Sequence, residues 1–228
     1  MTSVRVRGII FDFDGVLVDS EPVRFKAGAQ ALAEVGIVLT WEKFLTMWLG
    51  RTDHAGLRDI LGARYEAERD RVLARRNLLY EKWLDEVPPY ADAMALLKRL
   101  PPGIQMAVAT GSRRMEVERI LTRLALRRRF QAIVTAEDYR QAKPAPDPFL
   151  AAARSLNLPP SSHLVIEDSP AGVMAAQAAG MPVLAVDRGR VAVGLDRATW
   201  MVASLDALMV TPDGWVAVKE SQSAVGSE

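Results

Sequence analysis

Short apolar runs rich in β-branched residues alternate along the chain with segments of helical periodicity. The runs predict five strands: Val4–Phe11, Ile104–Ala109, Ala132–Thr135, Leu164–Ile166 and Val183–Val186. Apolar spacing predicts helices between the later runs: Ala91–Leu100, Met115–Leu126, Pro148–Leu156 and Pro170–Ala179. Strands that alternate with helices of about ten residues indicate parallel βαβ units. The predicted fold class is therefore α/β, with a doubly wound parallel sheet.

Three predicted helices begin with a capping signal. Ser112 follows the second strand at the position of an N-cap. Asp147 precedes Pro148, and Ser169 precedes Pro170, so each pair places a capping side chain before a proline at the first helical position.

The segment between the first two strands interrupts the alternation. It contains no convincing strand, and its spacing predicts four helices: Phe25–Glu34, Trp41–Trp48, Ala55–Leu61 and Tyr65–Leu84. A crossover between parallel strands needs only about a dozen residues, so this segment is long enough for a separate domain. We expect an all-helical domain at residues 20–86, inserted into an α/β core of residues 1–19 and 87–228. The tail after about Gly214 is expected to fray.

Composition excludes several kinds of site. The 228 residues include no cysteine and only two histidines, so thiolate sites, disulfides and multi-histidine metal sites are excluded. The 29 Lys and Arg residues balance 28 Asp and Glu residues, which gives no general attraction to nucleic acid or to an anionic membrane. No targeting or membrane-spanning segment is visible, so we expect a cytoplasmic protein, and a monomer.

The ends of the predicted strands carry the candidate chemistry. In an open parallel sheet, ligands bind at the carboxyl ends of the strands. The side chains at or near those ends are Asp12, Asp14, Thr110, Glu167 and Asp168, with Lys143 in a nearby loop. Gathered carboxylates need a counter-charge, and oxygen ligands without nitrogen or sulfur favour Mg²⁺, which is most often held together with a substrate phosphate. The set indicates phosphoryl transfer.

Two carboxylates separated by one residue suit a covalent mechanism. A carboxylate can attack phosphorus to form an aspartyl phosphate, and a neighbouring carboxyl with a raised pKa suits acid–base work. Asp12 and Asp14 are the candidates, and Gly15 permits a sharp exit of the chain.

Two further segments are expected to bind the phosphoryl group. Thr110, Gly111 and Ser112 join a strand end to a helix N-terminus, whose free N–H groups bind phosphate. Lys143 precedes Pro144 and is therefore held out of the helical region, where it can neutralise phosphate charge.

Together these motifs resemble the haloacid dehalogenase superfamily, in its branch of helical-cap phosphatases and β-phosphoglucomutases. The resemblance rests on four motifs in order, and it covers about Val4 to Leu208: Asp12-Phe-Asp14-Gly15, Thr110, Lys143-Pro144 and Glu167-Asp168. Any single motif is weak, but the four are specific together with a cap-sized insertion after the first. The resemblance implies a core fold of the same kind with a helical cap.

The resemblance also implies roles for these residues. Asp12 is the nucleophile and a metal ligand, and Asp14 is the acid–base, with its backbone carbonyl on the metal. Thr110 and Lys143 bind the phosphoryl group, whereas Asp168, with Glu167, holds Mg²⁺. True dehalogenases of the superfamily lack a carboxylate at the place of Asp14, so its presence favours phosphorus chemistry.

One departure separates the two branches. The mutases commonly have a hinge histidine near the position of Arg24, and an arginine cannot act as a base. Arg24 could instead contact a second anionic group, and Arg51, in the loop that contacts substrate in relatives, is a candidate specificity residue. We expect a Mg²⁺-dependent phosphatase of a small phosphorylated metabolite such as a sugar phosphate. A phosphomutase of the β-phosphoglucomutase kind is the first alternative, and a non-catalytic phospho-ligand sensor is the second.

Overall fold

Six parallel strands form the main sheet. The computed structural model describes residues 4–50, 52–190 and 193–219. The sheet order is β4-β3-β2-β5-β6-β7. Its strands are β2 (Gly8–Phe11), β3 (Gln105–Ala109), β4 (Ala132–Val134), β5 (His163–Glu167), β6 (Val183–Val186) and β7 (Trp200–Val202). The chain starts at the centre, moves outward to β4 and returns to the other side of β2, so the predicted doubly wound fold is confirmed.

The central strands are buried on both faces. Every residue of β2, β5 and β6 is buried, which explains their continuous apolar sequences. The packing helices are α5 (Ala91–Arg99), α6 (Arg114–Arg123), α7 (Asp147–Ser155) and α8 (Pro170–Ala178). These helices follow the predicted positions, which confirms the βαβ pattern.

A second sheet corrects the predictions for both ends of the chain. The predicted first strand is two strands, because β1 (Val4–Arg5) leaves β2 and pairs antiparallel with β9 (Trp215–Val218). The backbone N–H of Val6 donates to Gly214 O at 2.8 Å and fixes the crossing. β9 also pairs with β8 (Leu208–Val210), so the expectation of a frayed tail after Gly214 is wrong for these residues.

Two of the predicted helix caps are also wrong. Helix α6 begins at Arg114 with Arg113 at its N-cap, so Ser112 does not cap it. Helix α7 includes Asp147, and Pro146 takes the N-cap position. Only Ser169 caps as predicted, since its hydroxyl accepts the Gly172 N–H at 3.0 Å.

The chain divides into two compact units, of which Asp19–Pro88 is the second. Its described regular elements are helical: α1 (Glu21–Ala33), α2 (Trp41–Met47), α3 (Asp53–Leu61), α4 (Tyr65–Lys82) and two short 3₁₀ turns, Gly62–Arg64 and Leu84–Glu86. In this unit the exposed Trp41 ring stacks on the buried Phe44 ring, with ring centroids 5.4 Å apart. None of the described helices has the length and apolar character needed to span a bilayer.

Candidate active site

The three central strands deliver their polar residues to one edge of the sheet. β2 lies between β3 and β5, and in that register Phe11 is level with Val108 and Ile166. The backbone N–H of Asp12 donates to Ile166 O at 2.9 Å, which extends the pairing by one residue. This edge is where the sheet changes winding direction, the usual ligand site of such folds.

Lys143 joins the ends of these three strands through one ammonium group. Its Nζ donates to Asp12 Oδ1 and Glu167 Oε1, both at 2.6 Å, and to the Ala109 carbonyl at 3.1 Å. These contacts use all three ammonium donors. The Lys143 side chain is 13% exposed and lies 4.8 Å from the centre of the Phe149 ring. Lys143 is therefore a buried counter-charge between two carboxylates.

Glu167 is the most enclosed carboxylate of the site. Its side chain is fully buried, and Oε2 accepts the Asp168 N–H, the Ser169 N–H and the Ser169 hydroxyl, each at 2.9 Å. Gly172 packs directly against it, since a Cβ at that position would lie 1.8 Å from Glu167 Cδ. Both carboxylate oxygens thus accept hydrogen bonds from the chain itself, which makes Glu167 an anchor of the β5–α8 turn.

Asp14 and Asp168 lie on either side of a tight turn at Gly15. The Ser112 hydroxyl donates to Asp14 Oδ2 at 2.5 Å, so Ser112 orients this carboxylate. Gly15 has a φ of +78°, and a Cβ there would lie 1.8 Å from Asp168 Oδ2. Only glycine allows the backbone to pass this close to Asp168.

Thr110 directly follows strand β3, next to the Ala109 carbonyl that Lys143 binds. Thr110 is 1% exposed, and its hydroxyl accepts the Ser112 N–H at 3.0 Å, which leaves the hydroxyl hydrogen as a donor. Tyr139, which the sequence did not single out, donates its hydroxyl to the Thr110 carbonyl at 3.2 Å. The sequence feature that could have pointed to Tyr139 is its position four residues before Lys143 in the same loop.

The N-terminus of helix α6 is already occupied by a side chain. The Arg114 N–H, the first of the helix, donates to both Glu137 oxygens at 3.1 and 3.2 Å. Glu137 therefore binds this first N–H of helix α6, and phosphate binding by Thr110, Gly111 and Ser112 stays a prediction. Glu137 comes from the loop after β4, a partner that local sequence does not reveal.

Burial and charge set the protonation of the central pair. Burial is the largest influence on Asp12, and with the carboxylates of Glu167 and Asp14 it raises the pKa of Asp12 to about 7, against the attraction of Lys143. Burial alone would lower the pKa of Lys143, but Asp12 and Glu167 hold it above its usual range. The site is thus a region of excess negative charge around one cation.

The acidic residues offer a group of oxygens that fits a hard divalent cation. Asp12, Glu167 and Asp168 each present one carboxylate oxygen, and these oxygens lie within 4.8 Å of one another. An all-oxygen donor set matches Mg²⁺ rather than a thiophilic metal. The raised pKa of Asp12 is consistent with a cluster that a cation would stabilise.

The two arginines predicted to bind substrate belong to the segment between the first two strands of the main sheet. Arg24 lies in helix α1, where its Nε donates to the Ser20 hydroxyl at 3.3 Å. Its guanidinium lies 4.6 Å from the centre of the Tyr80 ring within the helical unit. Arg51 lies outside the described residues. Their roles stay predictions.

Comparisons with known proteins agree with the motifs. The profile of the haloacid dehalogenase-like hydrolase family matches residues 9–186 of the chain. Hexitol phosphatase A of Escherichia coli (strain K12) is 32% identical over 219 residues, covering 95% of this chain and 100% of that protein. Fructose-1-phosphate phosphatase of the same organism is 32% identical over 187 residues, covering 80% of this chain and 97% of that protein.

Solved structures share the fold. The structure of β-phosphoglucomutase from Clostridium difficile matches with a TM-score of 0.72 at 26% sequence identity. The match covers 88% of this chain and 92% of that chain.

Proposed function

The chain belongs to the haloacid dehalogenase-like hydrolase family, and from that membership and its site we propose that it is a Mg²⁺-dependent phosphatase of small phosphorylated metabolites. As a family member with phosphatase relatives it is an enzyme, so the sensor alternative is set aside. The observation that supports the proposal most is the Lys143 ammonium, 2.6 Å from both Asp12 and Glu167 at the carboxyl edge of the sheet.

The proposed reaction has two steps that share one carboxylate. A carboxylate oxygen of Asp12 attacks phosphorus, and the bond between phosphorus and the leaving oxygen breaks as Asp14 donates a proton to that oxygen. Water then attacks the aspartyl phosphate, Asp14 takes its proton, and the Asp12 carboxylate leaves. Phosphate and the free alcohol are the products.

The surrounding groups stabilise charge during both steps. The Thr110 hydroxyl donates to a phosphoryl oxygen, and so does Lys143, whose hydrogen bond to Asp12 is released as that carboxylate attacks phosphorus. A unit charge pair at 4 Å is worth about 4 kcal/mol at an effective dielectric near 20. Asp12, Asp168 and Glu167 would hold Mg²⁺, with the Asp14 carbonyl as the further ligand that the family resemblance implies. Glu167 also keeps Lys143 and the Asp168 turn in place. When bound, the cation neutralises the negative charge of the phosphate and of the carboxylates.

A phosphorylated sugar or sugar alcohol is the substrate class that the relatives favour. One relative is named a hexitol phosphatase and another a fructose-1-phosphate phosphatase, and each is similar over most of its length. These names support a class of substrate for this chain, phosphorylated sugars and sugar alcohols, but no individual substrate.

A screen for phosphate release tests the proposal. Hexose phosphates, hexitol phosphates and p-nitrophenyl phosphate are incubated with the enzyme, with Mg²⁺ and after chelation. We expect release only with Mg²⁺, and none from Asp12→Asn, because an amide cannot attack phosphorus. Release by the chelated enzyme, or more than a tenth of wild-type activity in the folded variant, would contradict the mechanism.

A phosphomutase is the second candidate, favoured by the β-phosphoglucomutase structure that matches the chain. The two reactions differ in the acceptor of the phosphoryl group, which is water in one and a sugar hydroxyl in the other. Arg24 stays protonated and cannot serve as a base for that hydroxyl, so we favour water. Incubation with β-glucose 1-phosphate and a trace of the 1,6-bisphosphate separates them. Glucose 6-phosphate that accumulates much faster than free phosphate would reverse the assignment.

A further inference from the structure

Arg188 binds the backbone that leaves the active site. It follows strand β6, and its Nε donates to the Gly15 carbonyl at 2.9 Å. One terminal nitrogen, Nη2, lies 3.4 Å from the Val16 carbonyl, and both terminal nitrogens donate to Asp92, at 2.8 and 3.2 Å. A single planar guanidinium thus joins the turn after β2 to the first turn of helix α5.

The Arg188–Asp92 pair is enclosed and fully oriented. The two side chains are 10% and 11% exposed, and the Arg188 guanidinium lies 3.8 Å from the centre of the Tyr90 ring. Asp92 also accepts the N–H groups of Ala93 and Leu205, at 2.8 and 2.9 Å. Burial alone would raise the pKa of Asp92, but these hydrogen bonds and Arg188 outweigh it and lower the pKa. These contacts fix the position of both side chains of the ion pair.

The Gly15 backbone that Arg188 holds is hydrogen-bonded at both of its polar groups. The Gly15 N–H donates to Val18 O at 2.9 Å, so both polar groups of the Gly15 backbone are bound. Gly15 follows Asp14 and passes against the Asp168 carboxylate. A shift of this turn by a few tenths of an ångström would therefore move the Asp14 carboxylate.

We propose that Arg188 is a positioning residue that holds the Gly15–Val16 backbone so that Asp14 is aimed at the leaving oxygen. The inference rests on the proposed phosphatase function and adds a role outside the four motifs. Arg188 and Asp92 lie far in the sequence from the residues proposed to bind phosphate, and neither belongs to a motif.

The inference makes a specific claim about leaving groups. An aryl phosphate with a stable leaving anion needs little protonation, whereas a more basic leaving group needs the acid. A misplaced Asp14 must therefore slow phenyl phosphate more than p-nitrophenyl phosphate. Simple loss of folded protein would slow both substrates equally.

The experiment compares kcat/KM for these two substrates in wild type, Arg188→Met and Arg188→Lys. Lysine keeps the positive charge but lacks the planar guanidinium that binds Gly15 and Asp92 together. Arg188→Lys therefore tests the same loss of positioning if Arg188→Met does not fold. Arg99→Met is the matched control, because Arg99 ties helix α5 to the carbonyls of Leu205 and Leu208 and has no described contact with the Gly15 turn. Asp14→Asn marks the full effect of losing the acid.

We expect Arg188→Met to lower kcat/KM about tenfold or more for phenyl phosphate and less than about threefold for p-nitrophenyl phosphate. Arg99→Met should change both equally or neither. Equal losses for the two substrates in both Arg188 variants would overturn the inference while leaving the phosphatase function intact. A wild-type enzyme that releases phosphate neither from these aryl phosphates nor from any hexose or hexitol phosphate of the screen would refute the proposed function, and the inference with it.

Discussion

The ammonium of Lys143 is expected to stabilise the fold in addition to its proposed role in catalysis. It separates the buried carboxylates of Asp12 and Glu167, which would otherwise repel each other in a medium of low dielectric. A buried ion pair adds little net stability, but removal of one partner leaves an uncompensated buried charge. Loss of Lys143 is therefore expected to affect folding as well as the proposed catalysis.

Replacement of Lys143 by methionine is expected to lower the free energy of unfolding by about 3–5 kcal/mol in a chelated buffer. Urea denaturation measures it. Lys26→Met is the matched control, because Lys26 pairs with Glu86 at 2.7 Å but both side chains are about half exposed. An exposed pair contributes about 0–1 kcal/mol, so the control should change little. Equal losses in the two variants would contradict the structural role of Lys143.

His163 gives the fold a pH dependence that is separate from the active site. Its side chain is buried, Nδ1 lies 3.0 Å from the Pro159 carbonyl, and Nε2 has no hydrogen-bond partner among the described residues. Burial lowers the pKa of His163 in the folded state. The unfolded chain therefore takes up a proton first, and stability falls as pH drops below the unfolded pKa of about 6.5.

The expected result is a steeper loss of unfolding free energy between about pH 7.5 and 5.5 in wild type than in His163→Leu. The variant also loses the hydrogen bond to Pro159, so its curve is offset, and the slope is the informative quantity. Denaturant titrations at several pH values measure it. Parallel curves would show that His163 does not titrate as its burial requires.

The strands of the main sheet could be predicted from the sequence more fully than the contacts made by the loops that join them. The residues at the ends of β2, β3 and β5 could be identified because the carboxyl edge of a parallel sheet collects whatever follows each strand. The contacts of Ser112 with Asp14 and of Glu137 with helix α6 depend on loop paths, which no local pattern encodes. Strands β7, β8 and β9 were not predicted, although they are no shorter than β4. Unlike β6, they are only partly buried, and a short apolar run does not by itself establish a strand.

The turn from β5 into helix α8 depends on one small residue. A Cβ at Gly172 would lie 1.8 Å from Glu167 Cδ, inside a fully buried carboxylate that has no room to move. Gly172→Ala is expected to lower stability by more than about 2 kcal/mol and to reduce phosphate release, since Glu167 anchors Lys143. Thermal unfolding and turnover measure the two effects.

Gly103→Ala is the matched control for that substitution. No atom lies within 4 Å of a Cβ at Gly103, so alanine there should be neutral or slightly stabilising. If Gly172→Ala behaved like Gly103→Ala, the close packing of α8 on Glu167 would be wrong.

At the scale of the whole molecule, a nearly balanced chain concentrates negative charge at one place. The net charge is +1, yet Asp12, Asp14, Glu167 and Asp168 gather at one edge with Lys143 as the cation bound among them. The balance elsewhere explains why composition alone gave no indication of a ligand. Only the order of the strands, with β2 between β3 and β5, brings the distant motifs together.

Binding of Mg²⁺ to this edge is expected to stabilise the whole fold, because the folded chain alone assembles the carboxylates. A ligand at one hundred times its dissociation constant adds about 2.7 kcal/mol. The melting temperature of wild type should therefore rise with Mg²⁺ after chelation, and Asp168→Asn should lose most of that rise. Glu42→Gln, which removes an exposed carboxylate in the helical unit, should keep it. A rise of equal size in both variants would place the cation away from Asp168 and refute the metal site.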